Sequence, residues 1–160
     1  MTGSRRGGRG NLNLVELKVE GVAVDHHDAP VVILKDAAGD RLVEIWIGPA
    51  EAVAISMELE HRQPPRPMTH DLIRNIFENL TIGVERLVII EVRDNTYFGQ
   101  LVLRVNGDEK DIDCRPSDGI AIALRMQAPI FMPEDLLARI DDERKARETS
   151  FMVDSGGTIH

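Results

Sequence analysis

The chain has 160 residues, 42% hydrophobic and 29% charged, which suits one globular domain with its own core and no need of disulfide or metal staples. Its one cysteine, Cys114, excludes an internal disulfide and fits a reducing, cytoplasmic compartment; no apolar run reaches the ~18 residues of a membrane span, and no apolar segment follows the first arginines as a signal peptide would require. With 19 basic against 27 acidic residues the net charge is −8, which argues against holding nucleic acid by the overall field.

Residues 1–11 are rich in Gly and Arg without periodicity and read as a disordered tail. Without Arg5, Arg6 and Arg9 the remainder has 16 basic against 27 acidic residues, or −11. Residues 12–140 form the expected domain. Val15, Leu17 and Val19 alternate with charged residues as in a half-buried strand. The phase flips after Gly21 to Val22 and Val24, which marks a bulge or bend. Val31 to Leu34 and Leu42 to Ile47 are apolar runs joined by a Gly39-Asp40 turn, a hairpin pattern. Trp46 falls in the second run and is expected in the core.

Pro49 opens a helix with Glu51 in its first turn, and Val53, Ala54, Met57 and Leu59 are expected to face inward. The Gln63–Pro67 stretch contains three prolines and must be a stiff connector. Thr69 is a suitable N-cap for a second helix with Leu72, Ile73, Ile76, Phe77 and Leu80 on one face. Residues 85–92 and 97–105 read as buried strands, and Asn106-Gly107 is a two-residue hairpin turn leading to Lys110–Cys114. Pro116, Ser117 and Asp118 start a third helix, apolar nearly all round and therefore central. A short strand, Pro129 to Met132, and a helix from Pro133 follow. Residues 141–160, charged and then Gly-rich, read as a flexible tail. The order βββααβββαβα predicts an α+β fold, a mixed sheet with packed helices.

Residues 32–55 and 101–122 echo each other. Both read strand, Gly-Asp turn, strand, then a Pro, one residue, an acid and a helix ending Ala-Ile. A duplicated hairpin-plus-helix unit is one explanation; chance similarity of two such units is the other.

Two stretches carry most of the chemistry, Pro65–Leu72 and Arg115–Arg125. Each puts an Arg-Pro pair before a helix start, then a hydroxyl and a carboxylate in the first turn: Thr69 with Asp71, and Ser117 with Asp118. As structural elements, the hydroxyls cap helices and the acids offset the dipole. Arg66 and Arg115 fit that role poorly, because a cation beside a helix N-terminus is disfavoured; they could pair with acids or help free amides hold a phosphate. His70 adds a titratable group beside Asp71.

PRPMTHDLI, RPSDGIAIALRMQAPIFM and IWIGPAEAVAI (residues 45–55) closely resemble, in the right order, signatures of the bifunctional nuclease family, the BFN domain. The resemblance spans residues 12 to 138. Where the family usually has a small residue such as Ala after the Ser-Asp pair, this chain has Gly119. The resemblance implies cleavage of RNA and DNA, with nucleic acid as substrate, by a small α+β fold that forms a homo-oligomer.

Under that reading His70, Asp71 and Asp118 are the catalytic candidates, since phosphodiester hydrolysis needs an acid or base and groups that orient it. Arg66, Arg115, Thr69 and Ser117 are the phosphate-binding candidates. Glu51 and Asp113 are candidate ligands for Mg²⁺ or another divalent cation, which prefers oxygen donors. Asp111 shares a strand face with Asp113, and both also suit a solvated face. His26-His27, flanked by Asp25 and Asp28, fits a polar turn better than a metal site. The alternative is a non-catalytic oligomeric binding or regulatory module, favoured by the acidic charge and the few aromatics available for base stacking. Convergence of Arg62, Arg66, Arg115 and Arg125 on one basic cleft would favour the nuclease; their dispersal would favour the module.

Overall fold

The computed structural model describes residues 13–155. The proposed N-terminal tail and the last residues of the proposed C-terminal tail lie outside them. Among the described residues the elements are β1 (Leu14–Val24), β2 (Pro30–Asp36), β3 (Leu42–Trp46), α1 (Pro49–Leu59), α2 (Thr69–Asn79), β4 (Gly83–Arg93), β5 (Thr96–Val105), β6 (Asp108–Cys114), α3 (Pro116–Met126), β7 (Ile130–Pro133) and α4 (Glu134–Ser155). This is the expected βββααβββαβα order. No helix among the described residues is long and apolar enough to cross a membrane.

The strands form one mixed sheet in the order β3-β2-β1-β7-β4-β5-β6. β1-β2-β3 and β4-β5-β6 are antiparallel meanders. Short β7 joins them, antiparallel to β1 and parallel to β4. The pairing of β1 with β2 shifts between Val19 and Gly21, so the phase flip in the sequence is a bulge. Asn106 and Gly107 have φ of 50° and 83°, the left-handed pair that a tight hairpin turn demands.

Both echoing segments fold as a hairpin followed by a helix with Pro in its first turn, at opposite edges of the sheet. Their turns differ. The β2–β3 loop is longer and is organised by Asp36, which accepts from the Ala38 amide and from Arg41; Arg41 also bonds Glu134 at the start of α4.

Leu17, Leu34, Leu87, Ile89, Ile120, Met132 and Leu137 are fully buried, each stabilising the fold by ~1.5–3 kcal/mol. α3 is central as expected: Ile120, Ala121, Ile122 and Ala123 are all buried, and the helix packs on α1, α2, β4 and β5.

Three sequence expectations are corrected. Trp46 is 51% exposed; Val43 and Ile45 take the core side of edge strand β3, so alternation turns Glu44 and Trp46 away from it. Val53 is exposed because Ala52, Ala54 and Ile55 form the buried side of α1. On α2 only Ile73 and Phe77 of the expected apolar face pack on the core, while Leu72, Ile76 and Leu80 stay exposed. α4 runs to Ser155. There Asp141 is buried and bonded to Arg144 and Lys145 one turn on, which extends the helix.

Candidate functional site

The starts of α1, α2 and α3 meet. Pro49 and Pro116 each begin a helix, where a missing N–H costs nothing. Gly48 precedes α1, and a Cβ there would run into the Glu51 carboxylate. Its absence lets Glu51 fold back over the helix start.

From Glu51 a continuous polar chain crosses the three helices. Arg115 Nη2 donates to Glu51 Oε1 at 2.8 Å, and Arg115 Nε donates to Asp118 Oδ2 at 2.8 Å. The other oxygen of Asp118 lies 2.9 Å from His70 Nε2. The chain runs from solvent inward: the side chain of Arg115 is 66% exposed, that of Asp118 28% and that of His70 10%. Burial works to raise the Asp118 carboxyl, but the hydrogen bonds from Arg115 and His70 outweigh it and hold the group below the usual carboxylate range. Asp118 is therefore an anion at neutral pH, fixed between two cation-capable partners.

Asp71, next to His70, uses both oxygens elsewhere. Oδ1 accepts from Arg125 Nε at 2.8 Å, and Oδ2 accepts from the Met68 amide at 3.0 Å. Met68, not Thr69, is the N-cap of α2, and Asp71 supplies the capping acceptor. Arg125 is buried and also donates to the carbonyls of Ala121 and Ala54. One guanidinium thus ties α3 to α1 and α2 and fixes the placement of His70.

The four arginines do not gather, the outcome that favours the non-catalytic module. Arg125 is buried, Arg62 pairs with Glu60, and Arg66 is exposed without an ion pair among the described residues. Only Arg115 joins the polar chain. Thr69 is exposed at the start of α2. Asp113 is exposed on β6 opposite Gln100, away from the polar chain's hydrogen bonds. Asp25, beside His26-His27, accepts from the Trp46 indole and the amides of His27 and Ala29, so that loop is a structural turn.

The donor set does not fit a divalent cation. Among the described residues no three His, Cys, Asp or Glu side chains are grouped to hold one. Glu51 and Asp118 both already bond the Arg115 guanidinium. Burial first, then the charges of Asp113 and Asp118, push the Cys114 thiol up to about 11, so in the metal-free protein it is protonated at neutral pH.

Beside the polar chain lies a cavity of about 710 Å³. Arg115 and Ser117 line it at the start of α3, Trp46 on β3, Tyr97 on β5, and Arg147 on α4. The sheet curls enough for an edge strand and β5 to share it. Ser117 is buried in the first turn of α3, and its hydroxyl has no hydrogen-bond partner among the described residues. Sequence reasoning missed Arg147 and Tyr97, and it weighed Arg125 only as a possible member of a basic cleft. A lone Arg within an otherwise apolar helix was the available signal for a buried pair.

The bifunctional nuclease domain profile matches residues 32–144. An uncharacterized protein of Mycobacterium tuberculosis is 38% identical over 140 residues, 84% of each chain. Bifunctional nuclease 2 of Arabidopsis thaliana is 32% identical over 108 residues, 65% of this chain and 32% of the plant protein. Bifunctional nuclease 1 of Oryza sativa subsp. japonica is 28% identical over 107 residues, with the same coverage. The match thus spans about a third of the plant chains.

Proposed function

The chain belongs to the bifunctional nuclease domain family, and from that premise we propose that it hydrolyses phosphodiester bonds of RNA and DNA where α1, α2 and α3 begin. The supporting observation is the Glu51–Arg115–Asp118–His70 chain, which sets a phosphate-binding cation beside a histidine with a fixed carboxylate partner. Arg115 offers its remaining N–H donors to the scissile phosphate and stabilises charge growing on its oxygens. The amides at the start of α3 add partial positive charge. Water attacks phosphorus, the P–O bond to the leaving oxygen breaks, and His70 relays the proton between them. Asp118 orients the imidazole, and Asp71 acts as a positioning residue through Arg125 and the α2 cap. Arg66 and Thr69, exposed at the entry to α2, extend the phosphate track. No step runs through a metal, and the assay is done with and without Mg²⁺. His70→Ala is expected to lose at least a hundredfold in kcat/KM on a single-stranded substrate while keeping the wild-type circular dichroism. An unchanged rate in the folded variant removes His70 from the reaction.

A second reading rests on α2. Met68, Leu72, Ile76 and Leu80 repeat every fourth residue and are all exposed, an apolar stripe of the kind that marks an interaction surface. Self-association through this stripe supports a homo-oligomer, and it would equally serve a non-catalytic module of the same fold.

A further inference from the structure

The cavity beside Arg115 has the contents of a nucleotide site. Its volume of about 710 Å³ lies in the range of small-molecule pockets, ~300–1,000 Å³. The chain has one tryptophan and one tyrosine, and both line this cavity. Trp46 is half exposed, yet its ring is anchored, because the indole Nε1 donates to Asp25 Oδ2 at 2.9 Å. An exposed aromatic ring held in place is a stacking platform.

Other groups lining the cavity suit an anion. Ser117 is only 7% exposed, and its hydroxyl lines the cavity with no partner among the described residues. It sits in the first turn of α3, where the first intrahelical bond is made by the Gly119 amide, so the amides before it have no helical acceptor. Arg115 stands at the same helix start. Arg147 faces the cavity from α4 and makes no ion pair among the described residues; its Nε bonds only the Glu143 carbonyl, at 3.4 Å. Two carboxylates also line the space. Glu44 lies two residues from Trp46 on the same side of β3, and Glu143 lies one turn before Arg147 on α4. Carboxylates accept from sugar hydroxyls and exocyclic amines, so Glu44 beside Trp46 suits the nucleoside, while Ser117, Arg115 and Arg147 suit the phosphate.

We infer that this cavity binds one nucleotide of the substrate strand, its base against Trp46 and its phosphate at Ser117, Arg115 and Arg147. The inference rests on the phosphodiesterase reading above and deepens it by placing the nucleotide that flanks the scissile phosphate. It also explains how an acidic chain can bind nucleic acid: the contact is local, and stacking carries part of it.

Trp46 is the only tryptophan, so its emission reports this cavity directly. The full chain is titrated separately with adenosine 5′-monophosphate, adenosine and inorganic phosphate, in the wild type and in Ser117→Ala and Arg147→Gln. The monophosphate is expected to change the emission saturably, at least tenfold more tightly than adenosine or phosphate. Ser117→Ala and Arg147→Gln are each expected to weaken it about tenfold. Equal affinity for the monophosphate and inorganic phosphate overturns the inference, as does indifference to both Ser117→Ala and Arg147→Gln. A wild type that cleaves single-stranded nucleic acid but shows no saturable response overturns the inference alone. One that binds the monophosphate but cleaves nothing supports the pocket and overturns the nuclease reading.

Discussion

His70 Nε2 and Asp118 Oδ1, from helix starts 48 residues apart in the chain, lie 2.9 Å from each other. The pair joins α2 to α3 at the point where Arg115 brings a cation to the surface. Asp118→Asn keeps the shape but removes the charge that orients and stabilises a protonated imidazole. It is expected to lower kcat by about 10²–10⁴-fold with a smaller change in KM. Steady-state kinetics on a labelled single strand checks this, and a variant that raises KM alone would assign Asp118 to substrate binding.

The Asp71–Arg125 pair is a buried ion pair, with side-chain exposures of 8% and 2%. Arg125→Met leaves the Asp71 carboxylate without its main partner and should cost about 3–5 kcal/mol in urea unfolding. Pairing it with Asp71→Leu should recover part of the loss. Additive losses in the double variant would mean that the two side chains act independently.

Acid should unfold the protein through these same carboxylates. Burial works to raise Asp71 and Asp118, but the arginine hydrogen bonds outweigh it and hold both below their ordinary value of 3.8. A depressed group contributes stability that is fully present above its unfolded pKa and is lost as pH falls through its folded one. Stability is therefore expected to fall below about pH 4, and less steeply in Asp118→Asn. Denaturant midpoints measured against pH test this; a slope unchanged in the variant would place the acid lability elsewhere.

Gly119 sits against the core. A Cβ there would lie 2.5 Å from Leu87 Cδ1 and 3.1 Å from Cys114 Sγ, and Leu87 is fully buried. Gly119→Ala should lower stability by about 1–3 kcal/mol through overpacking, less up to ~1 kcal/mol regained from alanine's helix preference. Adding Leu87→Val should relieve the collision, so the double variant should lose less than the two singles together. A Gly119→Ala protein as stable as wild type would show that Leu87 moves aside freely.

The α2 stripe is tested by charge. Leu72→Glu and Ile76→Glu alter exposed side chains and should leave the thermal midpoint nearly unchanged. If α2 holds copies together, sedimentation should shift from oligomer to monomer. An unchanged sedimentation profile moves the interface off α2.

Much of the fold was legible in the sequence because it is written in local periodicity. Alternation at Val15, Leu17 and Val19, the Gly21 phase flip, the Asn106-Gly107 turn and the prolines at 49 and 116 each act over a few residues, and each produced the expected element. The family motifs were legible for the same reason, as short ordered strings, and they match the domain profile.

What the residues in those motifs touch was decided by tertiary structure. Asp71 and Asp118 look alike in sequence, each an acid in a first turn, yet one is locked to Arg125 and the other reaches His70 and Arg115. Arg66 and Arg115 are both followed by proline, yet only Arg115 meets Glu51. Trp46 has the flanks of a core residue, and only the edge position of β3 and the curl of the sheet turn it toward Tyr97 and the start of α3. The charge of −8 is a sum over the whole chain and carries no positions. Hydrogen bonds act only at contact and exposed charges are largely screened beyond about 10 Å, so the chemistry depends on which charges become neighbours, and packing of distant segments determines that.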